Sequence, residues 1–197
     1  MESTIKAGGR SLRLMRARQS HVDDIVSLIN GSRASGGEVI SVTSQGISEW
    51  VSRGMSFVVI DPDTKRVVAH MAVDSWPKGT APKSYELRSV VVAESHRNRS
   101  IHAQVSVAVI EKMFEEHPDI PLLEVKKGSK GLNLLIQGLG FTEYDVGEAQ
   151  EKLGLIILRP EEGPWHAYVL TRAQYHAAKK RARDGRLADE RGSLHRH

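Results

Sequence analysis

Apolar residues recur along the chain with two periods, and the changes of period mark the elements. Ser11–Arg18 alternates Leu12 and Leu14 with Arg13 and Arg16, which predicts a half-buried strand. Val22, Ile25, Val26 and Ile29 then fall at helical spacing over His21–Asn30. Ser20 suits the N-cap, Asp23 and Asp24 suit the positive end, and Gly31 reads as the stop. After a Gly/Ser-rich loop to Val42, Thr43 or Ser44 caps a short helix carrying Ile47, Trp50 and Val51, ended by Gly54. Ser56–Ile60 and Val67–Asp74 are strand-like, and the polar turn Asp61–Arg66 between them predicts an antiparallel hairpin.

Tyr85–Val92 is a third β-branched run, after a loop with Pro77, Gly79 and Pro82. The period then becomes helical: Val105, Val109, Ile110, Met113 and Phe114 share one face of Ile101–His117, and Pro118 ends it. Ile120–Lys126 predicts a strand, Gly131–Gly138 a short helix and Phe141–Val146 a strand. Leu153–Leu158 and Trp165–Thr171 predict a closing β-pair. Residues 1–9, polar or small and ending in Gly8-Gly9, read as a mobile lead-in. The order β-α-α-β-β-β-α-β-α-β-β is not a Rossmann pattern. It predicts an α/β (α+β) domain with a central mixed sheet flanked by helices.

Composition refines this picture. With 197 residues, 40% hydrophobic and 26% charged, the chain is one ordinary globular domain plus an extension. Its net charge of +4 is unevenly spread: residues 1–171 hold 20 Lys+Arg and 21 Asp+Glu, whereas residues 172–197 hold 8 and 3. The expected organisation is therefore a lead-in (1–10), a nearly neutral domain (11–171) and a basic, helix-prone extension (172–197). That extension reads as a solvated helix, as an electrostatic contact to nucleic acid or ribosome, or as a docking element for a partner subunit. Tyr175 is its only Phe, Trp or Tyr, which offers little for base stacking.

The absence of cysteine excludes disulfides, zinc-thiolate sites and a cysteine nucleophile, and fits a cytoplasmic location. The nine histidines show no metal-ligand spacing with carboxylates, so no metal is expected. Met1–Arg10 lacks the apolar core of a secretory signal, and runs such as Gly154–Leu158 are far too short to span a membrane. A homodimer is the default expectation for assembly.

Candidate chemistry concentrates in Glu86–Ala103, where a strand runs through a polar loop straight into a long helix. Unpaired N–H groups and the helix dipole make that junction suited to a phosphate, and Arg97 and Arg99 add donors. Val92-Ala93-Glu94-Ser95-His96-Arg97-Asn98-Arg99-Ser100-Ile101-His102-Ala103 resembles the acetyl-CoA segment of the GCN5-related N-acetyltransferase (GNAT) superfamily, Val-x-Pro-x-Tyr-Arg-x-x-Gly-x-Gly/Ala. Leu122–Val125 resembles that family's next strand, and Ser129–Phe141, ending Gly140-Phe141, resembles the helix after it. Together with the hairpin and the N-terminal β-α-α, the resemblance covers residues 11–171.

The resemblance implies a mostly antiparallel GNAT-like sheet and acyl transfer from acetyl-CoA to a primary amine of a small molecule, peptide or protein. With no thiol for an acyl-enzyme, direct attack in a ternary complex is favoured. It implies that the backbone of Val90, Val91 and Val92 lies along the pantetheine and that N–H groups of Asn98, Arg99, Ser100, Ile101, His102 and Ala103 hold the pyrophosphate, with Arg97 beside them. Ser129 stands where the family often has an Asn near the CoA arm. Glu86 and Glu124 match the family's positions for a general base, with equal weight; the bland alternative for each is a strand glutamate in solvent or paired with Arg88 or Lys126.

The departures are specific. Ser100 and His102 replace both glycines of the pyrophosphate loop, and His102 could project away, cover the phosphates or crowd them. Ile136 stands where many members carry the Tyr that protonates the thiolate; Tyr85 and Tyr144 are the nearest spare phenols in sequence. Two alternatives follow: a catalytically degenerate GNAT-fold binding protein, or a nucleic-acid-directed modifier or binder using the basic tail. Trp50 is expected in the core, and Trp76 beside a substrate pocket or capping the core.

Overall fold

A computed structural model describes residues 2–34, 42–76, 81–97, 100–127, 138–153 and 165–194. The chain divides into two compact units, residues 1–75 with 86–116, and residues 76–85 with 117–197.

The first unit carries strands β1 (Glu2–Ala7), β2 (Arg10–Arg16), β3 (Ser56–Ile60) and β4 (Val67–Trp76, up to residue 75), with residues 86–92 of β5 (Ser84–Val92). They lie side by side in chain order, and β1–β2, β2–β3 and β3–β4 are antiparallel. Helices α1 (Val22–Ala34), α2 (Ser44–Ser52) and α3 (Ile101–Glu116) complete the unit. Ile25 and Ile29 of α1 and Ile47 and Val51 of α2 pack with Met15, Val58, Val67 and Val91 in one apolar cluster. Trp50 packs on that cluster and stacks against the buried His70, as a core tryptophan should. The predicted face of α3, Val105, Val109, Ile110, Met113 and Phe114, is buried throughout.

Several expectations are corrected. Residues 2–7 form a paired strand where a lead-in was expected. Gly8 and Gly9 are its turn to β2, both at positive φ, and Ile5 and Ala7 are its buried residues. Helix α1 emerges from a 3-10 turn at Gln19–His21, so Ser20 is not its N-cap, and it passes through Gly31 to Ala34. A glycine costs a helix about 1 kcal/mol and does not forbid it. The Asp61–Arg66 hairpin is as expected: Asp61 accepts the Asp63 N–H through Oδ1 at 2.9 Å and the Lys65 N–H through its carbonyl at 2.8 Å.

The second unit holds β6 (Leu122–Lys127), β7 (Thr142–Asp145), β8 (Trp165–Leu170) and helices α4 (Val146–Leu153) and α5 (Arg172–Leu194). Its strands run in the order β6-β8-β7, all antiparallel. β8 therefore pairs β6 and β7 on its two sides, and the pairing expected with Leu153–Leu158 is not what flanks it. Leu153 ends α4, and residues 154–158 lie outside the described residues, as does the expected helix over 131–137. Leu123, Ala149, Ala167 and Val169 form the unit's cluster, with Tyr144 and Val146 against it.

The basic extension begins as a docked helix. Tyr175 and Ala178 are buried, Thr171 caps the first turn through Gln174, and Gln174 Nε2 donates to Thr142 Oγ1 at 2.7 Å. Gly140, at φ +91°, lies close against α5: a Cβ there would sit 2.9 Å from the Gln174 carbonyl oxygen and 3.0 Å from the Ala178 Cβ. No helix among the described residues is long and apolar enough to cross a membrane.

Candidate active site

The loop after β5 is built from below. The Ala93 N–H donates to the Val68 carbonyl of β4 at 2.8 Å, and residues 94–96 form a 3-10 turn closed by His96 N–H to Ala93 O. His96 is buried in that turn. Its Nδ1 is 2.9 Å from Ser95 Oγ, and its Nε2 is 3.5 Å from Oδ2 of Asp61, itself buried at the β3–β4 turn and reached by Arg10.

Ser100 then leads into α3. Its carbonyl accepts the Gln104 N–H at 3.1 Å, the first bond of the helix, and its φ is +56°. Left-handed backbone suits glycine and costs other residues about 1 kcal/mol or more. Ser100 thus holds a backbone conformation that glycine adopts without cost. The N–H groups of Ile101, His102 and Ala103 belong to the first turn of the helix, at its positive end, where an anion is favoured.

The Ile101 side chain is buried, and those of His102 and Ala103 are half-buried. The exposed Arg97 guanidinium reaches Ser32 Oγ of α1 at 3.4 Å. In β5, Val91 is buried while Val90 and Val92 are half-buried. Asn98, Arg99 and Ser129 lie outside the described residues, as do Ile136 and the Trp76 side chain.

Glu86 of β5 is 4% exposed, and its Oε2 sits 3.4 Å from Arg88 Nε, two residues along the strand. Glu86 is therefore buried and paired with Arg88, not turned to solvent. Sequence reasoning missed the carboxylate that shares Arg88 with Glu86. Asp74 of β4 is 1% exposed, with Oδ2 3.3 Å from Arg88 Nη1 and Oδ1 3.5 Å from Nη1 of Arg53, at the C-terminus of α2. Alternation within β4 marks which residues face inward but not that Arg53 and Arg88 meet there.

Glu124 belongs to the second unit, half-buried on β6, with Tyr168 of β8 directly opposite. Burial, then Glu143 and Glu124, push the Tyr168 phenol above its ordinary pKa, so it stays protonated through neutral pH. Of the spare phenols, Tyr85 is buried against His117 and Tyr144 packs in the Leu123 cluster. Tyr168 is the phenol that sequence reasoning missed, because cross-strand register alone brings it to Glu124. Among the described residues no His, Asp or Glu group could hold a metal ion.

No family model matches the sequence, and no curated protein matches it. Solved structures do match its shape. A GNAT-family acetyltransferase from Staphylococcus aureus Mu50 aligns at TM-score 0.60 and 12% identity, over 81% of this chain and 99% of that one. A GNAT-family acetyltransferase from Bacillus anthracis aligns at 0.58 and 13%, over 87% and 99%. A chain of the NatC complex bound to Gag peptide and CoA aligns at 0.59 and 12%, over 81% and 98%. The chain thus has the fold of the GNAT acetyltransferases, the one implied by its Val92–Ala103 and Leu122–Phe141 segments.

Proposed function

We propose that this protein transfers an acetyl group from acetyl-CoA to a primary amine. The observation that carries the reading is Ser100. A non-glycine residue holds left-handed backbone immediately before α3, where the GNAT segment has glycine and where a diphosphate would meet the N–H groups of Ile101–Ala103. Arg97, and Asn98 and Arg99 by the same resemblance, complete the phosphate contacts, and Val90–Val92 offer backbone to the pantetheine.

In the reaction the neutral amine nitrogen attacks the thioester carbonyl carbon, and the C–N bond forms. The tetrahedral oxyanion collapses, the C–S bond breaks, and CoA leaves as thiolate. The proton lost by the amine goes to a carboxylate. Glu86 fits that role as a buried carboxylate fixed by Arg88; Glu124, beside the protonated Tyr168, is the alternative. A thiolate is a good enough leaving group for water to protonate it, so Ile136 in place of tyrosine does not forbid turnover.

Isothermal titration with acetyl-CoA and thiol release across an amine panel test the reading. Binding with CoA release supports it. Binding without release identifies a GNAT-fold binding protein, and no binding at millimolar ligand removes the cosubstrate assignment.

A further inference from the structure

β1 is the outermost strand of its unit: β2 pairs one edge, and nothing among the described residues pairs the other. Beside that edge runs an open groove of about 330 Å³, lined by Ser3, Thr4 and Ile5 and by Ala103, Val107 and Ala108 of α3.

The turn determines which backbone groups face outward. Gly8 and Gly9 make a two-residue hairpin turn with φ of +57° and +78°, so Ala7 and Arg10 are the closing hydrogen-bonded pair. Such pairs alternate along an antiparallel ladder, so Ile5–Leu12 and Ser3–Leu14 also exchange bonds. The N–H and C=O groups of Glu2, Thr4 and Lys6 therefore point away from β2. The Lys6 carbonyl bears this out, since it accepts Gln104 Nε2 of α3 at 2.8 Å. No proline or bulge blunts the edge, and its register with β2 is unbroken from Glu2 to Ala7.

We propose that this edge pairs with the same edge of a second copy of the chain, β1 antiparallel to β1 about a two-fold axis at Thr4. Two-fold symmetry centres the register on a single residue between Glu2 and Lys6, and a centre at Ser3 or Ile5 sets neither Glu2 nor Lys6 opposite the other. A centre at Glu2 or Lys6 sets like charges face to face. A centre at Thr4 sets Glu2, whose Oε1 already accepts from Arg13 of β2, opposite Lys6 of the second copy, twice, and no other centre brings these opposite charges together. Thr4 then exchanges both its bonds with its twin, and each Lys6 N–H meets a Glu2 carbonyl. Gln104 keeps its bond throughout. On the α3 side, Ile5 faces Ser3 of the second copy, and the two grooves come together over the small Ala103, Val107 and Ala108.

Sedimentation velocity of the full chain over a dilution series tests this, with a reversible monomer–dimer equilibrium expected. Thr4→Pro removes an outward N–H that the β2 ladder does not use; it gives a monomer with an unchanged far-UV spectrum. Lys6→Glu turns two exposed pairs from attraction to repulsion and weakens dimerisation about ten-fold, and adding Glu2→Lys to it restores the affinity. A chain that stays monomeric throughout overturns the proposal. So does a dimer indifferent to Lys6→Glu.

Discussion

The Nε2 of His96 stands 3.5 Å from Oδ2 of Asp61, joining the 3-10 turn before α3 to the β3–β4 turn through two buried side chains. The Asp63 N–H above all, and then the Thr64 N–H, Arg10 and His96, hold the Asp61 carboxyl below its ordinary value of 3.8, against the upward push of burial. A folded pKa below the unfolded one stabilises the fold fully above pH 3.8 and loses that contribution as pH falls through the folded value. Urea denaturation through the acid range should show wild type losing stability in this window and Asp61→Asn losing less of it. Parallel curves would remove Asp61 from the acid response.

Ser100 holds a conformation that favours glycine. Ser100→Gly should stabilise the protein by about 1 kcal/mol, provided the serine hydroxyl makes no compensating bond. Acetyl-CoA affinity should be kept, because the backbone donors are unchanged. Denaturant midpoints and titration calorimetry read the two effects separately. A destabilised variant would show that the hydroxyl matters more than the strain.

Arg97 is exposed and bonds only weakly to Ser32. Reversing its charge should weaken acetyl-CoA binding about ten-fold or more, the value of one charge-assisted contact plus the new repulsion, with little change in thermal stability. The same affinity in Arg97→Glu would place the phosphates elsewhere.

Glu86 and Glu124 are separable by kinetics. Substitution of the base by Gln should lower kcat by about 10²–10⁴-fold with the KM for acetyl-CoA preserved. Glu86→Gln is expected to show this loss and Glu124→Gln a smaller one. The reverse ranking would move the proton transfer to Glu124 and its neighbour Tyr168.

Tyr175 anchors the first turns of α5, where it is 2% exposed. Tyr175→Ala should cost about 3 kcal/mol, as for other large-to-small changes of buried aromatic residues. Ending the chain at Thr171 should likewise lower the unfolding midpoint rather than merely remove charge. An unchanged midpoint for both would mean that α5 contributes nothing to the unit it covers.

The strand–loop–helix from Ser84 to Glu116 was legible because its period changes from two to about 3.6 within a few residues. Local turn chemistry likewise foretold the β3–β4 hairpin. β1 was not legible, since only Ile5 and Ala7 give it an inward face and Gly8-Gly9 reads equally as a turn or as the end of a loose arm. α4 was hidden because, among the described residues, Ala149 is its one buried residue, helped by the partly buried Val146. The Arg53–Asp74–Arg88–Glu86 array and the Glu124–Tyr168 pair depend on which strands become neighbours. No local window contains that information. The loop before α3 could be singled out from the motif, whereas the positive φ of Ser100 is a backbone property that its side chain argues against.

The packing of α5 also bears on how its charge acts. A basic segment on a slack tether samples many directions, and an anion that captures it must first arrest that motion. Here Tyr175, Ala178 and Gln174 fasten the first turns, so the exposed Lys179, Lys180, Arg181 and Arg183 point in directions fixed by the helix. An anionic surface meeting them faces a preset array with its ordering entropy already lost during folding. The array's selectivity is then one of spacing as well as of sign.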